Sequence, residues 1–506
     1  MKRKRSLMLL GLVVILTGAA VSFVWRAPTP VAHAAVSNSG LHVSGNQLLN
    51  GAGQPVRPLG VDRAGSEYMC DASGDNTVFD DGTNPNSAGQ TGAALDAAFN
   101  AATIPAFQSW DIQAVRLPLN EDCWLGINGY PAAQYTAATY QQTIVNYVNL
   151  LTSNNFIVIL DLHWSAPGTT QSNKQLAMPD LDHAPAFWTS VANTFKSNSS
   201  VIFDLFNEPF PGFNGASTTG WSCWLNGSTA ASTAPCSDIP FAVAGMQTLV
   251  NTVRATGATN VLMLGGLAYA NDLSQWLQYE PTDPDNNLAA SFHLYNGNSC
   301  NYVNCWVETV APVAAKVPVI AGEIGEGDCG ESFIDMAMNW LDSEGIGYLA
   351  WAWDTYNCWS FPALISDYSG TPTAYGQGFK THLYDLANGI TPTPTPTPVP
   401  GHYCQVHYGV SSWTGAFTVN ITITNISSSP IVGWTLQFTF GSDQQVTAGW
   451  NATWSQQGQV VTARDVGYND TIAAGASTGL GFNGTWTTSN PTPTAFTLNG
   501  TACVVS

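Results

Sequence analysis

The sequence predicts two folded units, an α/β (β/α)8 (TIM) barrel followed by a small all-β sandwich. Three observations predict this. Eight apolar runs alternate with amphipathic segments before residue 390, a proline-alternating stretch then interrupts the chain, and beyond it apolar residues recur with period two. With 506 residues, 45% of them hydrophobic and 9% charged, the chain is too long for one small core and too apolar for general disorder.

The N-terminus carries Lys2-Arg3-Lys4-Arg5, an apolar run from Leu7 to about Val24, and Ala32-His33-Ala34. This is the pattern of a secretory signal peptide spanning residues 1–34. An uncleaved membrane anchor is the rival reading, because the run approaches spanning length. Cleavage would remove five of the 14 basic residues and none of the 34 acidic ones, leaving nine against 34 and a net charge of −25. Such a chain is a poor ligand for nucleic acid or anionic lipid. The chain is expected to act as a monomer in the extracellular space, with no membrane after signal removal. All ten cysteines follow the signal, an even count that argues for disulfides in an exported protein. Cys404 is expected to pair with Cys503, Cys223 with Cys236 and Cys300 with Cys305. Cys70, Cys123, Cys329 and Cys358 stay open.

The expected strands are Val56–Val61, Ala114–Leu119, Phe156–Leu162, Val201–Glu208, Val261–Gly266, Ala289–Tyr295, Val317–Glu323 and Gly347–Trp353. Between them lie helical patterns. In Thr139–Leu151 the residues Tyr140, Ile144, Tyr147 and Leu151 share one face, and Phe241–Arg254 and Ser332–Leu341 are similar. Strands that are apolar on both faces, each followed by a helix, fit a closed parallel barrel whose chemistry lies at the strands' C-terminal ends. A doubly wound sheet would not explain why polar residues gather at those ends. Thr391 to Pro400 alternates proline with threonine and valine, which favours an extended spacer. The expected division is a barrel domain 35–390, a linker 391–401 and a sandwich 402–506.

The strand ends carry Arg116, His163, Asn207, Glu208, His293, Tyr295, Glu323 and the pair Trp351 and Trp353. Desolvation at the end of an apolar strand would raise the pKa of Glu208 and suit it to donate a proton. Val319, Ala321 and Glu323 share one strand parity, which would direct Glu323 inward with them. Glu326 falls in the following loop and is the weaker partner. Two carboxyls with an arginine, histidines, a tyrosine and a tryptophan are the parts needed to cleave a glycosidic bond. Glu208 would protonate the leaving oxygen and Glu323 would attack the anomeric carbon. Tyr295 and His293 would orient the nucleophile, Arg116 would hold it ionised, Asn207 would bind the 2-hydroxyl and Trp351 would face the sugar ring. Taken singly, each has an ordinary structural explanation, such as capping the next helix.

Val115-Arg116-Leu117-Pro118, Leu160-Asp161-Leu162-His163, Phe206-Asn207-Glu208-Pro209, Phe292-His293-Leu294-Tyr295, Gly322-Glu323-Ile324-Gly325 and Trp351-Ala352-Trp353 resemble the successive strand ends of family 5 glycoside hydrolases (the cellulase family). The resemblance covers roughly residues 40–388. It implies a retaining mechanism with Glu208 as acid/base and Glu323 as nucleophile, and it places Arg116, His163, Asn207, His293, Tyr295 and Trp351, or else Trp353, in the site. Retention requires the two carboxyls to lie about 5 to 5.5 Å apart. The insert with Cys223 and Cys236 and the loop Ser165–Ala184 are not generic to that family and leave substrate choice open. Gly325-Glu326-Gly327-Asp328-Cys329-Gly330 matches a dinucleotide fingerprint, but at the seventh strand of a barrel it reads as a loop at the mouth. His163, His183, His293 and several acids lack the spacing of known metal motifs, so neither metal nor cofactor is expected.

In the last unit Phe417, Val419, Ile421 and Ile423, then Trp434, Leu436, Phe438 and Phe440, alternate with polar residues. Trp413, Trp450 and Tyr468 sit instead beside Gly, Asn and Ser, where exposed rings suit stacking on flat sugar faces. From Cys404 to Cys503 the unit is similar to family 2 carbohydrate-binding modules, which implies a ring platform of Trp413, Trp450 and Tyr468. Tyr468 stands where tryptophan is usual, and Trp454 is an extra ring without an assigned role. Together these readings point to a secreted, modular endo-β-1,4-glucanase acting on cellulose or a related β-glucan. A β-mannanase or xyloglucanase is the alternative within the same fold, and a non-catalytic polysaccharide-binding protein is the alternative of another class.

Overall fold

The computed structural model describes residues 37–70, 103–129, 136–212, 217–358, 361–390, 403–427, 430–473 and 475–505. The expected signal segment and the Thr-Pro linker lie outside these residues. Among the described residues no helix is long and apolar enough to cross a membrane.

The eight apolar runs do form eight barrel strands. They are β1 (Leu59–Asp62), β2 (Ala114–Asn120), β3 (Ile157–Trp164), β4 (Val201–Asp204), β5 (Leu262–Gly265), β6 (Leu288–Tyr295), β7 (Val319–Gly325) and β8 (Gly347–Ala350). They pair in chain order, all parallel, and β8 returns to β1 through the pair Tyr348 and Leu59. Apolar side chains on both faces explain the closure. Ala114, Ile157, Ile159, Ile202, Met263, Ala289, Ile320 and Leu349 form an inner cluster that contains no helix residue, joined by Leu41, Leu48 and Val56 from the N-terminal hairpin region. The alternate residues, among them Val115, Val158, Phe203 and Phe292, pack with the helices in a larger cluster.

The amphipathic stripe over Tyr140, Ile144, Tyr147 and Leu151 is the buried face of a helix, Ala137–Ser153, started by the Thr136 hydroxyl accepting from Thr139 N. The third helix predicted, Ser332–Leu341, spans Ser332–Ser343. The helix expected from Phe241 begins only at Met246. Val243 and Ala244 first pair with Ser228 and Gly227 in a short ladder, which holds the start of that segment extended.

Two strand expectations need correction. β4 ends at Asp204 rather than Glu208. Leu205 N still bonds Met263 O and Asn207 N bonds Leu162 O, so the chain turns across the mouth while held by both neighbouring strands, and Pro209 has no N–H to extend a ladder. The parity argument for Glu323 was also wrong. Val319 and Ala321 belong to the helix-side cluster and Ile320 to the inner one. The register then slips, with Phe292 opposite Ala321 but His293 opposite Glu323. Gly322 is the extra residue of a bulge, and this bulge turns Glu323 inward.

The disulfides Cys223–Cys236, Cys300–Cys305 and Cys404–Cys503 form as expected, and the four open cysteines pair as Cys70–Cys123 and Cys329–Cys358. The last of these anchors the Gly325–Gly330 loop. Glu326 there is buried and accepts from Phe333 N and Ile334 N at 2.9 and 3.2 Å, so it caps the next helix.

Residues 403–505 build two facing five-stranded sheets. Phe417, Val419, Ile421, Ile423, Trp434, Leu436, Phe438 and Phe440 fill the core between them, as their alternation predicts.

Candidate active site

Arg116 on β2 is the hub of the barrel mouth. Its side chain is fully buried, and its Nη1 donates to Glu323 Oε1 at 2.8 Å and to Asp62 Oδ1 at 3.1 Å. Nη2 donates to Asp161 Oδ2 at 3.0 Å, to Asp204 Oδ2 at 3.1 Å and to Asn207 Oδ1 at 2.8 Å. Asp62, Asp161 and Asp204, on β1, β3 and β4, were not assigned from the sequence. Each is a single acid in an apolar run, and only the register brings them together, with Asp62 opposite Arg116 and Asp161 opposite Asp204.

Glu323 accepts from Arg116 through one oxygen and from the Tyr295 hydroxyl at 2.5 Å through the other. Burial would raise its pKa, but the charges of His293, Arg116 and His163 and the Tyr295 hydrogen bond outweigh burial and hold it below the usual carboxylate range. It is thus anionic and aimed inward. The geometry requires glycines on either side of it. A Cβ at Gly322 would lie 2.7 Å from Ser291 Oγ, and one at Gly325 would lie 2.4 Å from the Tyr295 ring.

Glu208 lies past the end of β4 with its side chain 20% exposed and so open to a ligand. His293 approaches it more closely than it approaches Glu323, with Nδ1 3.0 Å from Glu208 Oε1 and 3.6 Å from Glu323 Oε2. His293 thus touches both acids, the expected contact with Glu323 included. Oxygens of Glu208 and Glu323 lie within 4.8 Å of each other.

Asn207 has its amide orientation imposed, because Oδ1 accepts from Arg116 and Nδ2 therefore donates to Gln175 Oε1 at 3.0 Å. Gln175 Nε2 in turn donates to the Glu208 carbonyl at 3.1 Å. Gln175 comes from the Ser165–Ala184 loop, and no periodicity or motif marked it. Gln175→Ala removes both bonds from an accessible loop position and is expected to lower kcat/KM about tenfold, ~1.4 kcal/mol, without shifting Tm. An unchanged kcat/KM would remove Gln175 from the site.

His163 Nδ1 lies 2.9 Å from Asp161 Oδ2, and its ring stacks on Trp351 with centroids 5.5 Å apart at 11°. Trp351 is only 4% exposed, so little of its face is open as a sugar platform. Trp353 packs edge-on against Phe107 and Trp110 in the core and is structural.

Burial dominates the electrostatics. Glu67, in the loop after β1, is pushed up to about 7 by burial, against the lowering charge of His163. Asp204 is pushed up to about 7 by burial despite Arg116. In the folded chain these groups keep protons that the unfolded chain releases from about pH 4 to 7, so stability falls as pH rises through that window. Tm is expected to be higher at pH 5 than at pH 7.5, with Glu67 contributing on the order of 3 kcal/mol. Glu67→Gln should shrink the difference, whereas a Tm that climbs steadily to pH 7.5 would contradict this.

On the sandwich, odd-numbered residues of Cys404–Trp413 point outward, and Trp413 ends that strand 55% exposed. Trp450, 37% exposed, lies over Gly481 on the same sheet, where a Cβ would sit 2.3 Å from its ring. Tyr468 is 76% exposed, with its hydroxyl donating to Asn451 Oδ1 at 2.8 Å. Trp454 is packed on Phe482 at 4.9 Å and supports the core.

The family model for cellulase, glycosyl hydrolase family 5, matches residues 70–357. The chain belongs to glycosyl hydrolase family 5. In this family 5 chain the cellulose-binding-domain model matches residues 404–503. Among curated relatives, exoglucanase A of Cellulomonas fimi is 48% identical over 102 residues, 20% of this chain and 12% of that protein. Endoglucanase CelA of Streptomyces lividans is 50% identical over 102 residues, 20% of this chain and 22% of that protein. The chain therefore matches less than a quarter of the length of either relative. Among solved structures, the β-glucanase SdGluc5_26A of Saccharophagus degradans has 18% identity and a TM-score of 0.49, covering 69% of this chain and 94% of that one. The catalytic domain of Thermobifida fusca endoglucanase Cel5A has 17% identity and a TM-score of 0.45, covering 68% and 97%.

Proposed function

We propose that the chain is a secreted, retaining endo-β-1,4-glucanase that hydrolyses cellulose or a related β-glucan. The observation that carries the reading is the pair Glu208 and Glu323, whose oxygens approach within 4.8 Å across the barrel mouth. So close an approach is compatible with direct attack by one carboxylate. Glu323, held anionic by Arg116 and Tyr295, attacks the anomeric carbon while Glu208 protonates the leaving oxygen. Glu208 then takes a proton from water as that water displaces the sugar from Glu323. His293, touching both acids, links the two protonation events. Asn207 donates from an amide whose orientation Arg116 imposes, which suits it to the sugar 2-hydroxyl.

The division into a barrel domain 35–390, a linker 391–401 and a binding module 402–506 supports this reading, with the module holding the barrel near an insoluble surface. The N-terminal pattern at residues 1–34 supports export. The test follows the anomeric configuration of the first product by NMR and measures rates on carboxymethylcellulose, glucomannan and xyloglucan side by side. Initial release of the β-anomer and fastest cleavage of carboxymethylcellulose are expected. Faster cleavage of glucomannan or xyloglucan would reassign the substrate, and initial α-anomer would exclude retention. Trp413→Ala and Trp450→Ala are each expected to weaken binding to insoluble cellulose at least about tenfold, ~1.4 kcal/mol, and to leave hydrolysis of soluble substrate unchanged.

A further inference from the structure

A second cluster of acids sits beside the barrel mouth, away from the reacting pair. Glu121 follows the end of β2, while Asp180 and His183 come from the segment that leads into the helix Ala184–Phe195. One donor atom from each of the three lies within 4.8 Å of the other two. Glu121 and Asp180 are completely buried. Glu121 Oε2 accepts from Ala166 N at 2.5 Å, and Asp180 Oδ1 accepts from His183 N at 2.7 Å. Glu121 Oε1, also buried, has no hydrogen-bond donor. The Asp180 carboxylate that lies against Glu121 has no hydrogen to give. Asp122 and Asp182 flank the pair, accepting from Ser172 N and Gly168 N. Among the described residues no Lys or Arg forms an ion pair with any of these four acids.

Two adjacent carboxylates without water or a counter-charge are unfavourable, and either a shared proton or a cation must compensate them. We propose that Glu121, Asp180 and His183 hold a divalent cation that staples the 165–183 loop to the end of β2. Two carboxylates and an imidazole suit Mn2+ or Zn2+, and Ca2+ is served if carbonyls or waters complete its shell. The geometry favours a cation over a proton in one respect. Three possible ligand atoms, from two buried carboxyls and an imidazole, converge within 4.8 Å of one another, an arrangement that one proton shared between the two carboxyls does not use in full. No short sequence motif announced the site, because its ligands come from two segments about 60 residues apart.

The test uses the full chain, freed of metal by chelator at pH 7 and then given Ca2+, Mn2+ or Zn2+ separately. Elemental analysis and calorimetry read stoichiometry, and differential scanning reads Tm. Binding of one equivalent of at least one of the three ions is expected, with Tm raised by at least about 2 °C. Glu121→Gln supplies an amide N–H in place of a shared proton, so it should fold, bind no equivalent and show a Tm indifferent to the ion. Asp180→Asn should lose the ion likewise. The proposal is overturned if none of the three ions binds, if Glu121→Gln binds as the native chain does, or if chelator leaves the native Tm unchanged.

Discussion

Glu323→Gln is expected to lower turnover by about four orders of magnitude or more, ~5.4 kcal/mol in barrier, with the fold intact. The amide has nearly the shape of the carboxylate and can still accept from Tyr295. What it lacks is the charge and lone-pair basicity needed to bond to the anomeric carbon. Glu208 stands on the other side of His293, and its proposed part is to donate a proton rather than to attack. A second variant makes the assignment specific: Glu323→Ala opens a space beside Arg116, and added azide should enter it and give a glycosyl azide of inverted configuration. Normal release of reducing sugar by the Gln variant would falsify the nucleophile assignment.

Arg116→Met is expected to be the most destabilising single change in the barrel, at about 3–5 kcal/mol, because it leaves a cluster of buried acids without their cation. Asp62, Asp161, Asp204 and Glu323 all accept from this one guanidinium. Lysine keeps the charge but cannot reach four carboxyls and an amide from one planar fork, so Arg116→Lys should fold with reduced stability and lower kcat. Urea unfolding and soluble yield measure both variants. A Met variant with native stability would show that the aspartates are protonated and need no partner.

Much of the barrel was legible because its strands are apolar on both faces and punctuated by polar ends. Glu208 and Glu323 stand out for the same reason, each at the polar end of an apolar run. The aspartates round Arg116 were not legible, since a lone acid inside a strand becomes meaningful only when the register places it against a cation on another strand. Gln175 was hidden differently. It reaches the site from a loop, where side chains follow no period. The orientation of Glu323 came out right for a wrong reason, because alternation cannot anticipate a bulge. Exposure of Trp413, Trp450 and Tyr468 was readable from their small and polar neighbours, while Trp351 and Trp353 looked alike in sequence and differ only in what packs on them.

The bulge at Gly322 separates what makes the barrel from what makes the site. Up to Ala321 the seventh strand serves the helices and the inner cluster, and its side chains could be exchanged for others of similar size. Beyond Gly322 it serves the substrate, one step out of phase. The placing of Glu323 in the cavity therefore depends on register as well as on residue type. If Gly322 paired regularly with β6 instead of bulging, every chemical group of the site would remain in the chain but Glu323 would turn towards the helices.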